Sequence, residues 1–583
     1  MKEKKELPLK IKQIKEVDYK FGGRFVLIII FIILIGLLIV GQLFRLQVVF
    51  SKKYNNKAIG QYVDNLDKPF ERGNIYFTEK DGNLISAATM MSGYKMAVNP
   101  SLVKDKEKLF DDIKDYIDVS EEDFLAHFKE GDTYEEIAFR LPLDTVKEIK
   151  NKKIQGVYFY PQNWRNYPGG NLASQVLGFV GFNNDKFAGQ YGLEKQYDYI
   201  LSPKSELPFI NFFAEVFKNK IDKDKDNKTK TASIVTTIEP TVQSYLEKTL
   251  LSLKNTWSSE SVGGVIMDPN NGEIIAMANL PDFNPNEFGK EKNISYFSNP
   301  IVENIFEIGS VIKILTMTSG LDAGVVTPDT HYNDTGIVTL DTEVIKNARE
   351  KSYGYMSMQE VLDKSLNTGA VFVMQKLGRQ AFRNYFYSFG LNEKTLIDLP
   401  NEVSNSIKNL ESPRDIEYAT ASFGQGIALT PISATRAFSM VANGGFLVTP
   451  HLVKKIVYED GVEKELKYEK SERILKEDTT LRISSMLRKV VDEALLSGTI
   501  KLQNHTSGAK TGTAQIATKG GYIENSYLHT MVAYFPVYDP KYIIFIYNKK
   551  PQADDFSAKT LGPSVMDIGQ FLMNYYNIEG DRK

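Results

Sequence analysis

The stretch Phe306-Glu-Ile-Gly-Ser-Val-Ile-Lys313 decides how the rest of this chain is read. Ser310 follows Gly309 and opens a helical run, Val311 to Ala323, in which a residue three positions on sits one turn along the same face. Lys313 can then reach the Ser310 hydroxyl. Serine is a poor nucleophile at its free pKa and needs an adjacent base. A lysine is such a base only when uncharged, and burial together with a second nearby cation pushes its pKa down. The unpaired backbone N–H groups at the start of the run are also suited to holding an oxyanion.

The spacing alone is unremarkable, since Ser101 and Ser507 also stand three residues before a lysine. Ser101 follows Pro100 without a comparable helix and reads as a loop residue. Ser507 leads into Gly508-Ala-Lys-Thr-Gly-Thr-Ala514, a strand of small residues whose glycine lets a peptide backbone approach and add as a further strand. Standing alone, that segment is an ordinary edge strand. Facing the helix of Ser310, it would bring Lys510 up as the second cation. Between the two lies Ser365-Leu-Asn367.

Working outward, Gly263-Gly-Val-Ile-Met-Asp268, Pro269-Asn-Asn-Gly272 and Glu273-Ile-Ile-Ala-Met-Ala278 read as two buried strands joined by a tight turn, with Asp268 as a turn former. Leu528 to Tyr534 and Tyr542 to Tyr547 flank Pro536-Val-Tyr-Asp-Pro540 as a second antiparallel pair. Helical patterns, Met358 to Leu366 and Ile432 to Asn443 among them, lie between the pairs, and Val565 to Tyr575 follows as an amphipathic helix. Strands at both ends with helices between predict an α+β domain whose single antiparallel sheet is assembled from distant segments.

The chain from Phe50 to about Ser233 is more irregular. Short β-like pieces, Gly73 to Tyr76 and Asn83 to Ala88, alternate with amphipathic stretches, Lys106 to Ile117 and Glu121 to Phe128, of which the first places Phe110, Ile113, Tyr116 and Ile117 on one face. This predicts a β-rich pedestal, and the Lys, Asp and Asn run Lys218 to Lys230 predicts an exposed loop near its end. Phe25 to Gly41 is an unbroken apolar run, long enough with Leu43 and Phe44 to cross a bilayer and without a small-residue cleavage site. Eight Lys and Arg against four Asp and Glu in residues 1–24 favour a cytoplasmic N-terminus. The expected plan is therefore a cytoplasmic tail (1–24), a single-pass membrane helix (25–47), a pedestal (48–233) and a catalytic domain (234–583) outside the membrane.

Composition narrows the chemistry. Lys+Arg 71 against Asp+Glu 73 leaves no basic field for nucleic acid. The absence of cysteine removes thiolate nucleophiles, cysteine metal sites and disulfides. The five histidines, His127, His331, His451, His505 and His529, show no metal-ligand spacing, and neither a metal nor a cofactor is expected.

Taken together, Phe306–Lys313, Lys364-Ser-Leu-Asn-Thr-Gly369, Ser422-Phe-Gly-Gln-Gly426 and Lys510-Thr-Gly-Thr513 resemble the motifs of the class B penicillin-binding proteins. Arg72-Gly73, Tyr167-Pro-Gly-Gly-Asn-Leu-Ala173, Leu177-Gly-Phe-Val-Gly181 and Gly192-Leu-Glu194 resemble that family's pedestal signatures. The sequence departs from the family at Ile308, where proline is common, and near Tyr76, where aspartate is common. The resemblance implies a penicillin-binding transpeptidase fold on a pedestal. It also implies that Ser310 attacks a peptidoglycan stem peptide ending in D-Ala-D-Ala to form an acyl-enzyme, and that Lys313 takes the Ser310 proton. Ser365 would relay a proton to the departing D-alanine, Asn367 would hold Lys313 and a substrate amide, and Lys510 would orient the terminal carboxylate. Thr511, Gly512 and Thr513 would bind that end of the substrate, with the N–H groups of Ser310 and Thr513 as oxyanion hole. β-Lactams would acylate Ser310, and a membrane glycan polymerase of the SEDS type is the implied partner. A β-lactamase or β-lactam sensor on the same fold, and a mainly scaffolding component of cell-wall synthesis, are the alternative readings.

Overall fold

In the computed structural model the described residues are 71–583 except 130, 184, 185, 203–230, 519, 520, 553–555 and 583, together with 30, 31, 33–37 and 42. The last group is helical. The rest of the expected membrane helix lies outside the described residues, as does the Lys218 to Lys230 run; among the described residues no helix is long and apolar enough to cross a membrane. Residues 71–583 form one body.

At its centre is a five-stranded, fully antiparallel sheet of β1 (Ser261–Met267), β2 (Ile274–Leu280), β3 (Gly508–Thr518), β4 (Gly521–Phe535) and β5 (Tyr542–Lys549), in the spatial order β3-β4-β5-β1-β2. β1, β2, β5 and the Leu528–Phe535 half of β4 are almost continuously buried and largely apolar because both faces of the sheet are covered there. Their pleat then divides the side chains. Val262, Ile266, Met531, Ala533, Phe535, Ile544 and Ile546 join one apolar cluster, with the helices α1 (Pro240–Thr256) and α6 (Ser557–Tyr575). The alternate residues Val265, Met267, Val532, Tyr534, Ile543, Phe545 and Tyr547 join the other, with α2 (Lys313–Asp322), α4 (Asn367–Leu377) and α5 (Pro431–Ala442). Period-two alternation is what lets one strand serve two cores. Tyr245 of α1 stacks on Phe571 of α6 with centroids 3.9 Å apart, tying the outer helices to each other. The β1–β2 turn forms as expected, the Asp268 carboxylate accepting the Asn270 N–H at 2.8 Å.

The sequence places two helices differently from the structure. The run expected from Met358 to Leu366 stops at Asp363 as α3 (Met358–Asp363), because Ser365 adopts φ 57°, which an α-helix does not admit. The last helix starts at Ser557 instead of Val565 and carries Pro563 inside its first turns.

A seven-stranded second sheet runs in the order 463–465, 453–458, 232–236, 75–78, 84–98 and 135–141, with Val157–Asn166 also paired to Leu84–Val98. Ile75–Thr78 lies parallel to Ala232–Thr236, which in turn pairs antiparallel with Val453–Tyr458, so this sheet takes strands from both sides of residue 234. On the pedestal side, Lys106–Ile113 is capped by Asp105 and Glu121–Ala126 by Ser120. Leu109, Ile113 and Phe124 turn inward onto Met96, Val98, Ile137 and Ile149 as a satellite core.

The pedestal signatures meet at a buried ion cluster. Glu194 accepts from Arg72 Nε at 2.5 Å, Arg165 Nε at 2.6 Å and the Tyr167 hydroxyl at 3.2 Å. Burial alone would raise the Glu194 pKa, but Arg165 and Arg72 outweigh it and hold the carboxyl below its ordinary value.

Candidate active site

The turn bearing Ser310 is built against the edge of the central sheet. Gly309–Ile312 forms a 3-10 turn that passes directly into α2, and in a 3-10 turn residues i and i+3 eclipse, which puts Ser310 and Lys313 on one side. The turn lies so close to β3 that a Cβ on Gly512 would come within 2.5 Å of the Ile308 carbonyl oxygen. On its other side a Cβ on Gly424, from Ser422-Phe-Gly-Gln-Gly426, would meet the Gly309 carbonyl oxygen at 2.1 Å. Thr530 Oγ1, from the neighbouring β4, donates to the Ile308 carbonyl at 2.7 Å, and Gly309 N–H donates to the Gly424 carbonyl at 3.2 Å. Phe306 pairs with Leu429 through two backbone hydrogen bonds of 2.9 Å. The turn is thus pinned from three directions.

Lys313 is 1% exposed and its Nζ donates to the Ser365 carbonyl at 2.5 Å and to Asn367 Oδ1 at 2.7 Å, with Ser365 Oγ at 3.3 Å. Lys510 is 2% exposed and donates to Ser365 Oγ and to the Thr511 carbonyl, each at 3.0 Å. Ser365 therefore stands between the two amines, and its positive φ turns the chain there between α3 and α4. Asn367 opens α4, and its Nδ2 donates to the Lys346 carbonyl at 2.8 Å. Thr513 Oγ1 is hydrogen bonded to Ser557 at the start of α6, as donor to its Oγ at 3.1 Å and acceptor from its N–H at 3.3 Å. Among the described residues Ser310 Oγ forms no hydrogen bond, so Lys313 is held by the second motif and not by the serine.

Burial is the main cause that holds the Lys313 amine well below the usual lysine range, and repulsion from Lys510 is the second. Burial likewise pushes Lys510 down to about 8, against a weaker opposing pull from Asp363. Two lysines buried side by side, with no carboxylate in salt-bridge reach of either among the described residues, are costly, and the cost is lowest when at least one is neutral.

The eight residues singled out from the sequence, Ser310, Lys313, Ser365, Asn367, Lys510, Thr511, Gly512 and Thr513, thus converge on one locus from three separate segments. Two side chains of this locus were not anticipated. Thr530 carries no local motif and becomes visible only through its register opposite Gly512. Glu307 lies inside the first motif, and its carboxylate accepts the Gly426 N–H and the Tyr522 hydroxyl, each at 3.0 Å. His505, read as structural, bonds through Nε2 to the Ile578 carbonyl at 3.0 Å, away from this locus.

Residues 262–568 match the family described as penicillin binding protein transpeptidase domain, and residues 67–232 the penicillin-binding protein dimerisation domain. The chain is a class B penicillin-binding protein. Stage V sporulation protein D of Bacillus subtilis is 29% identical to this penicillin-binding protein, covering 94% of this chain and 84% of its own length. The peptidoglycan D,D-transpeptidase FtsI homolog of Mesostigma viride is 26% identical, covering 93% of this chain and 94% of its own. Among solved structures, penicillin binding protein 3 from Mycobacterium tuberculosis complexed with aztreonam superposes with a TM-score of 0.67 at 22% identity, covering 88% of this chain and 98% of that one, which is a likeness of fold. In this penicillin-binding protein Ile308 replaces the common proline. The turn gains its fixity there from the Thr530 hydrogen bond and the packing of a side chain that is 1% exposed.

Proposed function

We propose that this protein is a peptidoglycan D,D-transpeptidase that cross-links stem peptides through a serine acyl-enzyme in cell-wall synthesis. The observation that carries the reading is the hydrogen bonding of Lys313. A neutral amine has two N–H bonds and one lone pair. The Ser365 carbonyl and Asn367 Oδ1 take both N–H bonds, which leaves the lone pair for the Ser310 hydroxyl one turn before it. Ser310 attacks the carbonyl of the penultimate D-alanine as Lys313 takes its proton, and the N–H groups of Ser310 and Thr513 receive the developing oxyanion. Ser365, bridged to Lys510, returns a proton to the leaving D-alanine, while Lys510, Thr511 and Thr513 hold the terminal carboxylate at the edge strand, where Gly512 keeps the backbone close to the turn. An amine from a neighbouring stem peptide then displaces the serine. A β-lactam enters as a mimic of the D-Ala-D-Ala end, and because the amide bond broken lies within its ring, the expelled nitrogen stays tethered to the acyl group on Ser310 and occupies the place the acceptor amine needs.

The remaining elements of the reading are the domain plan and the surroundings. Residues 25–47 anchor the chain in the membrane with residues 1–24 in the cytoplasm, and 48–233 form a pedestal that carries 234–583 outside. The partner is a SEDS-type glycan polymerase that meets the anchor and pedestal. Unchanged co-purification with such a polymerase after substitution of Leu37 or Gly41 counts against the anchor as part of that contact.

Labelling with a fluorescent penicillin tests the chemistry. The parent becomes labelled and Ser310→Ala does not; equal labelling of the two, or labelling of neither, removes Ser310 from the role.

A further inference from the structure

Behind Asn367 lies a second polar cluster that the three motifs do not include. Asp334 is 1% exposed and is approached by donors only. Its Oδ1 accepts from Thr368 Oγ1 at 2.7 Å, Asn347 Nδ2 at 2.9 Å and the Gly336 N–H at 3.1 Å, and its Oδ2 accepts from the Tyr353 N–H at 2.9 Å. Asn347, itself buried, accepts the Thr368 N–H through Oδ1 at 3.2 Å. Thr368 is the neighbour of Asn367, and Lys346, whose carbonyl accepts Asn367 Nδ2, is the neighbour of Asn347. The carboxylate thus ties together the two backbone segments that meet at the Asn367 side chain.

That matters because a carboxamide has two faces. Turned over, Asn367 would present Nδ2 to Lys313 Nζ, a donor against a donor, and the amine would lose one of the two acceptors that aim its lone pair. The Lys346 carbonyl selects the productive face, and it can do so only while the segment of Lys346 and Asn347 stays registered against the start of α4.

We propose that Asp334 is a positioning residue for the acyl transfer, holding Lys346 and Thr368 so that Asn367 keeps its acceptor on Lys313; this rests on the reading of Lys313 as the base. An amide at this position converts one acceptor into a donor facing donors, which frees the junction. The Lys313 ammonium then loses the Asn367 acceptor, which stabilised the charged form more than the neutral one. Its protonation shifts to lower pH while its lone pair is no longer aimed. Lys510 of β3 is the charged group that faces Lys313, with Asp363 of α3 acting on Lys510 in turn.

The experiment measures the second-order acylation constant of a fluorescent penicillin across pH, with the active fraction set by saturation labelling, in the full chain. Asp334→Asn is expected to acylate about tenfold more slowly, the scale of one lost hydrogen bond to a charged group, with the acid limb of the profile moved to lower pH. Thr368→Val removes one donor to the carboxylate and gives a smaller change in both, and Thr368→Ser, which keeps the hydroxyl, restores the parental profile. A role confined to folding lowers the melting temperature and the active fraction but moves neither the constant per active site nor the limb. Parental acylation and limb in Asp334→Asn, a slower rate with an unmoved limb, or a Thr368→Val effect that serine does not rescue each overturns the proposal. Should Asp334→Asn fail to fold, the Thr368 pair decides. Lys313→Ala is the separate control: acylation at the parental rate there sinks the base assignment itself, whereas its loss alongside an unaffected Asp334→Asn sinks only the positioning role.

Discussion

Lys313 and Lys510, the two amines proposed for the chemistry, are buried at a thermodynamic cost. Each amine is buried and titrates below the unfolded-chain value, so between the two values the unfolded state binds more protons, and stability rises as pH rises toward about 10. Replacing Lys510 by Met removes that penalty. We expect Lys510→Met to be more stable at pH 7 by on the order of 2 kcal/mol in urea titration, with the gain shrinking in alkali, while fluorescent penicillin labelling falls by about 100-fold or more. A variant less stable than the parent at neutral pH contradicts this account. Acylation by the parent should in turn fall as pH drops through the depressed Lys313 pKa, since only the neutral amine accepts the Ser310 proton. A pH–rate profile for acylation that is flat on its acid side contradicts that assignment.

At the scale of elements, the site depends on how closely the Ser310 turn is seated on β3. A methyl group on Gly512 meets the Ile308 oxygen and Thr530 Oγ1, both at 2.5 Å, so Gly512→Ala must separate strand and turn. Acylation is expected to drop by about 10- to 100-fold, in line with a misplacement near 1 Å, with a loss of about 1–3 kcal/mol in urea titration and an unchanged far-UV circular dichroism spectrum. Thr530→Val, which removes the side-chain donor to the Ile308 carbonyl, should cost about 1 kcal/mol in urea titration and slow acylation as well. These contacts also show what the sequence could and could not reveal. The Ser310–Lys313 spacing, the β1–β2 hairpin and the β4–β5 pair follow from local chemistry and period, and they were legible. The stop at Asp363, the early start at Ser557 and the role of Thr530 come from tertiary contacts or from a single residue at positive φ, for which no periodic signal exists. Asp334 belongs to none of the motifs; its meaning arises only once Asn347 and Thr368 close around it.

For the molecule as a whole, the Arg72–Glu194–Arg165 cluster fastens the first described strand region to the rest of the pedestal. Glu194→Gln leaves two buried guanidinium groups sharing a neutral amide, and a loss of about 3–5 kcal/mol is expected in thermal or urea unfolding. Because the Glu194 carboxyl titrates below its unfolded value, its contribution is present above that value and lost as pH falls through the folded one. The parent should therefore lose more stability in acid than Glu194→Gln does, and parallel pH curves for the two exclude the cluster as a keystone. The two sheets add a further constraint. Strand 75–78 finds its parallel neighbour only at 232–236, whose other edge is filled by 453–458, and β1 waits for β5 far downstream. A nascent chain cannot close either sheet early, since both remain open-edged until the later strands have left the ribosome. Chains cut short before Tyr542 are thus expected to expose bare strand edges and to be cleared or to aggregate instead of surviving as half-built enzymes.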